Sequence, residues 1–429
     1  MKRYVCILIT TLLITNCVAQ YTPPVPEKGF TYIEPVNTEY VTYEKSFGSA
    51  KSGTKPEFQL IKPTSIAVND TGDVLVFDDG RIKVFSQNGS EKRIVGSPGE
   101  GPGKFSRYDE FFLSPNGYLT VLSKSYGSIT SVYYFSTVFD PDYVYINKSR
   151  FTDTPLFLKF LKSQNITRLQ YLSPNLKTPI DKIYYLNNTD RVLNVFSKLD
   201  EEYITKNHIY IYNENTQKNN IIVKTELSIG IFTWRNERTV PGLGKFCWEI
   251  LPDRKIVYIN TEEDKHQKSD LKVESSYTIH IRSIDTDSDV KIIHPFTATA
   301  FPDSMGAQYF DNTGRKSRPE RFKEVLEFFK NRKFYASVSD VLVDGDYAFF
   351  YLFKKEDLTD KSDKEELKAK NTPYTVDVLD TKTGKFLSSV QLPVKFKAIK
   401  NGYAYDVELN MMGCNEIRKY CLNPAVYGK

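Results

Sequence analysis

Apolar positions between Pro63 and Phe105 (PTSIAVNDTGDVLVFDDGRIKVFSQNGSEKRIVGSPGEGPGKF) fall in short runs separated by turn-forming residues. Ile66 and Val68 alternate with smaller or polar neighbours, whereas Val74 to Phe77 is an unbroken β-branched and aromatic run. Ile82, Val84 and Phe85 make a third run, and Ile94 with Val95 a fourth. Such residues suit a pleated, buried surface, so each run predicts a strand. Asn69-Asp70-Thr71-Gly72 and Asn88-Gly89 punctuate them. Asn-Gly predicts a two-residue type I′ hairpin, because both central positions of that turn need positive φ. The unit is four antiparallel strands in about 45 residues, closed by the glycine-rich loop Gly96 to Gly103.

The layout then repeats. Phe111-Phe112-Leu113, the turn Ser114-Pro115-Asn116-Gly117 and Tyr118 to Leu122 open a second unit, with Gly117 placed 45 residues after Gly72. Outer hairpins mark the later units: His208 to Tyr212 with Asn220 to Val223, Thr278 to Ile281 with Val290 to Ile293, and Thr375 to Leu379 with Phe386 to Leu392. Their inner strands are assigned to Arg191 to Phe196, then Phe246 to Ile250 with Lys255 to Ile259, then Val338 to Val343 with Tyr347 to Phe353. The final piece (Phe396 to Ile399, Tyr403 to Leu409, Ile417 to Leu422) lacks one strand, which the alternating segment 39–47 supplies. Closing the ring in this way removes two open sheet edges. The expected fold is all-β: a six-bladed β-propeller of four-stranded antiparallel blades over residues 38–429. Phe322, Val325, Leu326 and Phe329 recur at helical spacing behind Pro319, which predicts one connecting helix over 319–333. The charge-dense segment 354–370 reads as an insertion between two strands.

The order strand, turn with glycine, strand ending Phe77-Asp78-Asp79, Arg81-Ile82-x-Val84-Phe85, Asn88-Gly89 and a loop ending Gly103-x-Phe105 resembles an NHL-type repeat. The whole chain resembles the exported six-bladed propeller proteins of Bacteroidota-type bacteria, some of them lipoproteins and most of unknown function. That resemblance implies an envelope location and no particular chemistry. Asp79-Gly80 stand where NHL repeats carry a pair such as Asn-His before the arginine.

Lys2 and Arg3 precede an apolar run from Val5 to Ile14 that is too short to span a bilayer, so residues 1–19 read as a signal peptide. Ile14-Thr15-Asn16-Cys17 offers a second cleavage, after residue 16, in which Cys17 becomes lipidated; Cys17-Val18-Ala19 before Gln20 is the ordinary alternative. Residues 20–37 form a Pro-rich extended tether. The chain is therefore expected outside the cytoplasm: periplasmic, surface-anchored or secreted, with membrane contact only through signal or lipid. Lys and Arg number 58 against 53 Asp and Glu, without clustering, which argues against nucleic acid as a partner. A monomer is expected. Cys247, Cys414 and Cys421 show no zinc spacing, and no disulfide among them can be read from sequence.

Chemistry-bearing motifs are few. The four histidines have no metal-binding spacing, and neither a nucleophile elbow nor a Walker loop occurs. Asp78 and Asp79 at a strand end are the candidate metal ligands, for calcium, since related folds gather carboxylates from several blades. The candidate binding residues are Trp234, Arg235 and Arg238, in the connection 232–244, because an aromatic face beside guanidinium groups suits a sugar ring or a protein hot spot. No cofactor is otherwise implied. The leading expectation is a non-enzymatic module binding a protein or carbohydrate. The alternatives are a calcium-dependent hydrolase, lactonase or lyase working in the channel, and a structural envelope component.

Overall fold

A computed structural model describes residues 34–99, 101–105, 109–128, 131–150, 180–198, 204–213, 215–216, 218–228, 230–232, 237–239, 244–268, 273–301, 319–354 and 372–429. Six antiparallel sheets of the expected kind are present. Blade 1 holds Pro63–Val68, Val74–Asp78, Arg81–Phe85 and Glu91–Val95, in that order from the axis outward. Blade 2 holds Glu110–Leu113, Leu119–Ser128, Ser131–Phe139 and Tyr145–Arg150. In blade 3 the innermost strand is Ile180–Tyr185, followed by Asp190–Lys198, Ile204–Asn213 and Asn219–Ser228. Sequence pattern had placed the inner edge of this blade at Arg191. Blade 4 comprises Phe246–Leu251, Lys255–Asn260, Val273–Ser283 and Asp289–Phe296, with Lys265–Lys268 as a fifth strand beside the long third one. Blade 5 comprises Val338–Asp344, Tyr347–Leu352, Tyr374–Asp380 and Lys385–Leu392.

Blade 6 combines both ends of the described chain. Ala398–Lys400, Tyr403–Leu409 and Asn415–Leu422 are completed on the outside by Val41–Phe47, which pairs antiparallel from Val41 opposite Leu422 to Phe47 opposite Ile417. The ring closure expected from the missing strand is thus present.

The apolar runs have a simple cause. Each blade packs between two others, so both faces of its second strand are buried, and side chains alternate between neighbours. Val74 and Val76 join the cluster with Tyr405 and Ile417 of blade 6, while Leu75 and Phe77 join that with Leu119 and Val121 of blade 2. Phe349 and Tyr351 likewise face blade 6, and Ala348 and Phe350 face blade 4. Among the described residues there are six such clusters, one at each blade junction.

The hairpin at Asn88-Gly89 differs from expectation. Only Gly89 takes positive φ (82°); Ser86 N–H donates to Ser90 O at 2.8 Å and Gly89 N–H to Ser86 O at 2.8 Å. This is a three-residue loop ending in a left-handed glycine. Asn88 keeps ordinary φ because the Ser86 and Asn88 side chains satisfy Ser90 N–H at 3.1 Å each. The same device recurs at Asn69–Asp73, Ser114–Tyr118 and Asn410–Cys414, each with a polar first residue and a left-handed glycine fourth. Turns with two positive φ values fall instead at Asp79 (50°) and Gly80 (73°) and at Asn401 (54°) and Gly402 (76°).

The predicted helix is present as Pro319–Arg332, between blades 4 and 5. Phe329 packs on Phe301 (5.3 Å between ring centres), and Arg332 pairs with Glu262 at 3.0 Å. The glycine-rich loop carries Phe105, which is buried between blades 1 and 2 against Phe77 and Phe139. Cys247, Cys414 and Cys421 are free thiols. Among the described residues, no helix is long and apolar enough to cross a membrane. Residues 1–33, with the predicted signal, Cys17 and most of the tether, lie outside the described residues, as does most of the 354–370 insertion.

Candidate functional site

An innermost strand has a neighbour on one edge only. Its other row of N–H and C=O groups therefore faces the axis and needs partners there. Six such strands surround the central channel. Where they turn into the second strands, the channel opens into a cavity of about 730 Å³ lined by residues of all six blades. Its rim comes from the turns at Asn69–Thr71 and Ser114–Gly117 and from Pro252 and Gly345.

Five charged side chains line the cavity: Asp70, Lys182, Glu249, Lys397 and Lys400. Lys182, on the inner strand of blade 3, pairs with Glu249 on that of blade 4 and donates to Trp248 O at 2.9 Å. Tyr184 donates its hydroxyl to the other Glu249 oxygen at 2.7 Å. These bonds span the junction between blades 3 and 4, and Tyr184 stands edge-on to the fully buried Trp248, 5.6 Å between ring centres. Lys400 pairs with Asp70 at 2.5 Å, linking blade 6 to blade 1. Further along the inner strands, Asp340 pairs with Lys395 at 3.0 Å. Burial pushes the Asp340 carboxyl up, but Lys395, Lys182 and Lys245 together hold it below the usual carboxylate range.

Asp78 and Asp79 do not line this cavity. Asp78 is fully buried at the end of the second strand of blade 1. Its oxygens accept from Ile61 N–H (3.0 Å), Lys62 N–H (2.5 Å) and the Lys83 ammonium (2.6 Å). The carboxylate thereby ties the entering chain to the blade. Asp79 occupies the positive-φ turn that follows. Among the described residues, no three His, Cys, Asp or Glu side chains converge on a metal-sized site. Trp234 and Arg235 lie outside the described residues. Arg238 lies in Glu237–Thr239, which pairs antiparallel with Gly230–Phe232, Arg238 opposite Ile231. These two short strands form a hairpin in the connection from blade 3 to blade 4.

Sequence reading missed Lys182, Tyr184, Glu249, Asp340 and Lys397. Their common signal is a position on, or next to, an innermost strand, which becomes visible only when strand order within each blade is known.

Fold and site together define a six-bladed propeller with a polar axial cavity. Residues 53–297 match the model of a family described as 6-bladed beta-propeller, and the chain belongs to that family. No curated protein matches the sequence. Among solved structures, the chain is similar to a candidate exported protein of Bacteroides fragilis: 10% identity, 86% of this chain and 93% of that one covered, TM-score 0.39. It is also similar to a protein of unknown function from Bacteroides caccae (10% identity, 78% and 83% covered, TM-score 0.34). A third is the α-L-arabinofuranosidase Arb93A of Fusarium graminearum (8% identity, 84% and 93% covered, TM-score 0.39).

Proposed function

We propose that this protein is an exported binding module of the cell envelope that takes a polar ligand into the axial cavity. The observation that carries the reading is the make-up of that cavity. It is of ligand size, it converges residues from every blade, and its walls combine unpaired strand edges with Phe112, Tyr184 and a few charged groups. Four of its five charges are already matched in pairs, so those groups brace the walls and leave the backbone edges for a neutral polar surface. Polyhydroxylated ligands suit that lining, since each hydroxyl both donates and accepts. The connection 232–244, with Trp234, Arg235 and Arg238, is a second proposed contact.

Calorimetric titration of the mature chain with neutral and acidic oligosaccharides and with short peptides tests the reading. Thr71 is exposed at the rim. Thr71→Trp is therefore expected to abolish saturable binding at an unchanged melting temperature. Binding that survives an occluded mouth moves the site elsewhere. For the anchor, mass spectrometry of the mature N-terminus decides: acylated Cys17 supports attachment to a membrane, and a free or cyclised Gln20 excludes it.

A further inference from the structure

We propose that the axial cavity recognises an acidic oligosaccharide, one bearing uronate carboxylates, and that Lys397 is the cation pairing with the carboxylate. This rests on the binding reading above and names its ligand class.

Charge pairing in the cavity is the starting point. Lys182 is matched by Glu249 and Lys400 by Asp70, which leaves Lys397 with no ion-pair or hydrogen-bond partner for its ammonium among the described residues. Its backbone is fixed: Lys397 N–H donates to Tyr405 O at 2.9 Å, and Phe396 and Ala398 on either side are buried. The exposed ammonium therefore belongs to a rigid wall, with only its own side chain to order on contact. One more carboxyl acts on it, that of Asp406 on the neighbouring strand. Asp406 is a weak counter-ion, because burial and then Glu408 push its carboxyl well above the usual carboxylate range.

The rest of the wall selects among anions. A small inorganic anion leaves most of about 730 Å³ unfilled. Phe112, half-buried in the wall, offers aromatic carbon to the apolar face of a sugar ring, Asn116 and Thr71 stand exposed at the rim, and the strand edges present alternating donors and acceptors. An oligosaccharide carrying carboxylates meets all of these at once: hydroxyls to the strand edges, a ring face to Phe112, and a carboxylate to Lys397.

The test is titration of the full mature chain with a galacturonate trimer and with the neutral galactose trimer, at low and high salt. The expected result is at least tenfold tighter binding of the acidic trimer, with the gap closing at high salt. Lys397→Gln is expected to remove the preference, Lys397→Glu to abolish acidic binding, and Lys397→Arg to retain it, all at wild-type melting temperature since the side chain is exposed. Equal affinity for both trimers, unaffected by Lys397→Gln, overturns the inference and leaves the binding reading intact. An acidic peptide that outcompetes the trimer overturns it in favour of a protein ligand. Failure of every probe to bind the wild type, or binding that Thr71→Trp leaves unchanged, brings down the binding reading as well.

Discussion

His280 sits in the middle of blade 4 with both ring nitrogens committed: Nε2 lies 3.0 Å from Glu263 and Nδ1 3.1 Å from Asp289, and the ring stacks on Tyr258 at 4.4 Å. Two acceptors facing two ring nitrogens favour the doubly protonated imidazolium. Burial lowers the imidazole pKa, but the hydrogen bonds that its N–H groups donate to Glu263 and Asp289 outweigh it and raise the value above the ordinary one. The folded ring thus keeps its proton to higher pH than the unfolded ring. The stabilisation is complete below the unfolded value of about 6.5 and is lost as pH rises through the raised folded value. The melting temperature of wild type minus that of His280→Gln is expected to be largest near pH ~5.5 and to shrink toward pH ~9. A difference that does not vary with pH would show that the ring is neutral throughout. Asp78 makes a second case at this scale. Both Asp78 and Lys83 are almost wholly buried, so Asp78→Ala leaves an ammonium without its counter-ion, a change that costs about 3–5 kcal/mol. Urea unfolding of Asp78→Ala and of Asp78→Leu/Lys83→Met checks this, with the double variant expected to recover much of the loss. Calcium-dependent stabilisation of the wild type that disappears in Asp78→Asn would return Asp78 to the role of metal ligand.

Individual strands and turns show what a single sequence reveals and what it hides. The second strand of each blade was the most legible element, because burial on both faces forces a continuous apolar run such as Val74 to Phe77. Ile180–Tyr185 escaped notice because Asp181 and Lys182 interrupt its apolar pattern, and Lys182 does so because that strand borders the polar cavity. Lys182, which helped to hide the strand, is thus among the residues that build the site. Turn type was misjudged at Asn88-Gly89 for a local reason: the serine and asparagine side chains there supply hydrogen bonds that stabilise a longer loop. Gly96 shows a glycine required by packing as well as by its φ of 73°: a Cβ added there would lie 2.0 Å from the ring of Phe105. Gly96→Ala is therefore expected to displace Phe105 from the junction of blades 1 and 2 and to lower the melting temperature by more than Gly103→Ala, which carries a similar backbone strain (φ 65°) but meets no atom within 4 Å. If thermal unfolding shows equal effects for both, Phe105 does not act as the plug between those blades.

Across the whole molecule, the closing strand holds the ring. Removal of residues 38–47 strips Val41 and Phe47 from their clusters and unpairs the outer edge of Asn415–Leu422. Each such side chain contributes about 1.5–3 kcal/mol, so the loss approaches the net stability of a typical domain. A truncated chain that melts cooperatively at the wild-type temperature would refute closure. The ring was legible because its repeats share a period. The cavity was not, because its charged pairs join residues far apart in the chain, 67 positions in the case of Lys182 and Glu249. Closure also sets an order in time. Synthesis delivers the strand Val41–Phe47 first and its partner last, with 370 positions between Ser46 and Glu416. During that interval the early strand is a loose end, and the face of blade 1 bearing Val74, Val76 and Phe85 has nothing to cover it. A second nascent or refolding copy offers the same vacant edge, so the strand of one chain can complete the ring of another. Refolding at rising protein concentration is therefore expected to trade monomer for exchanged dimers, and a disulfide engineered between positions 42 and 421, which face each other across the last pair of strands, should trap whichever chain supplied the strand.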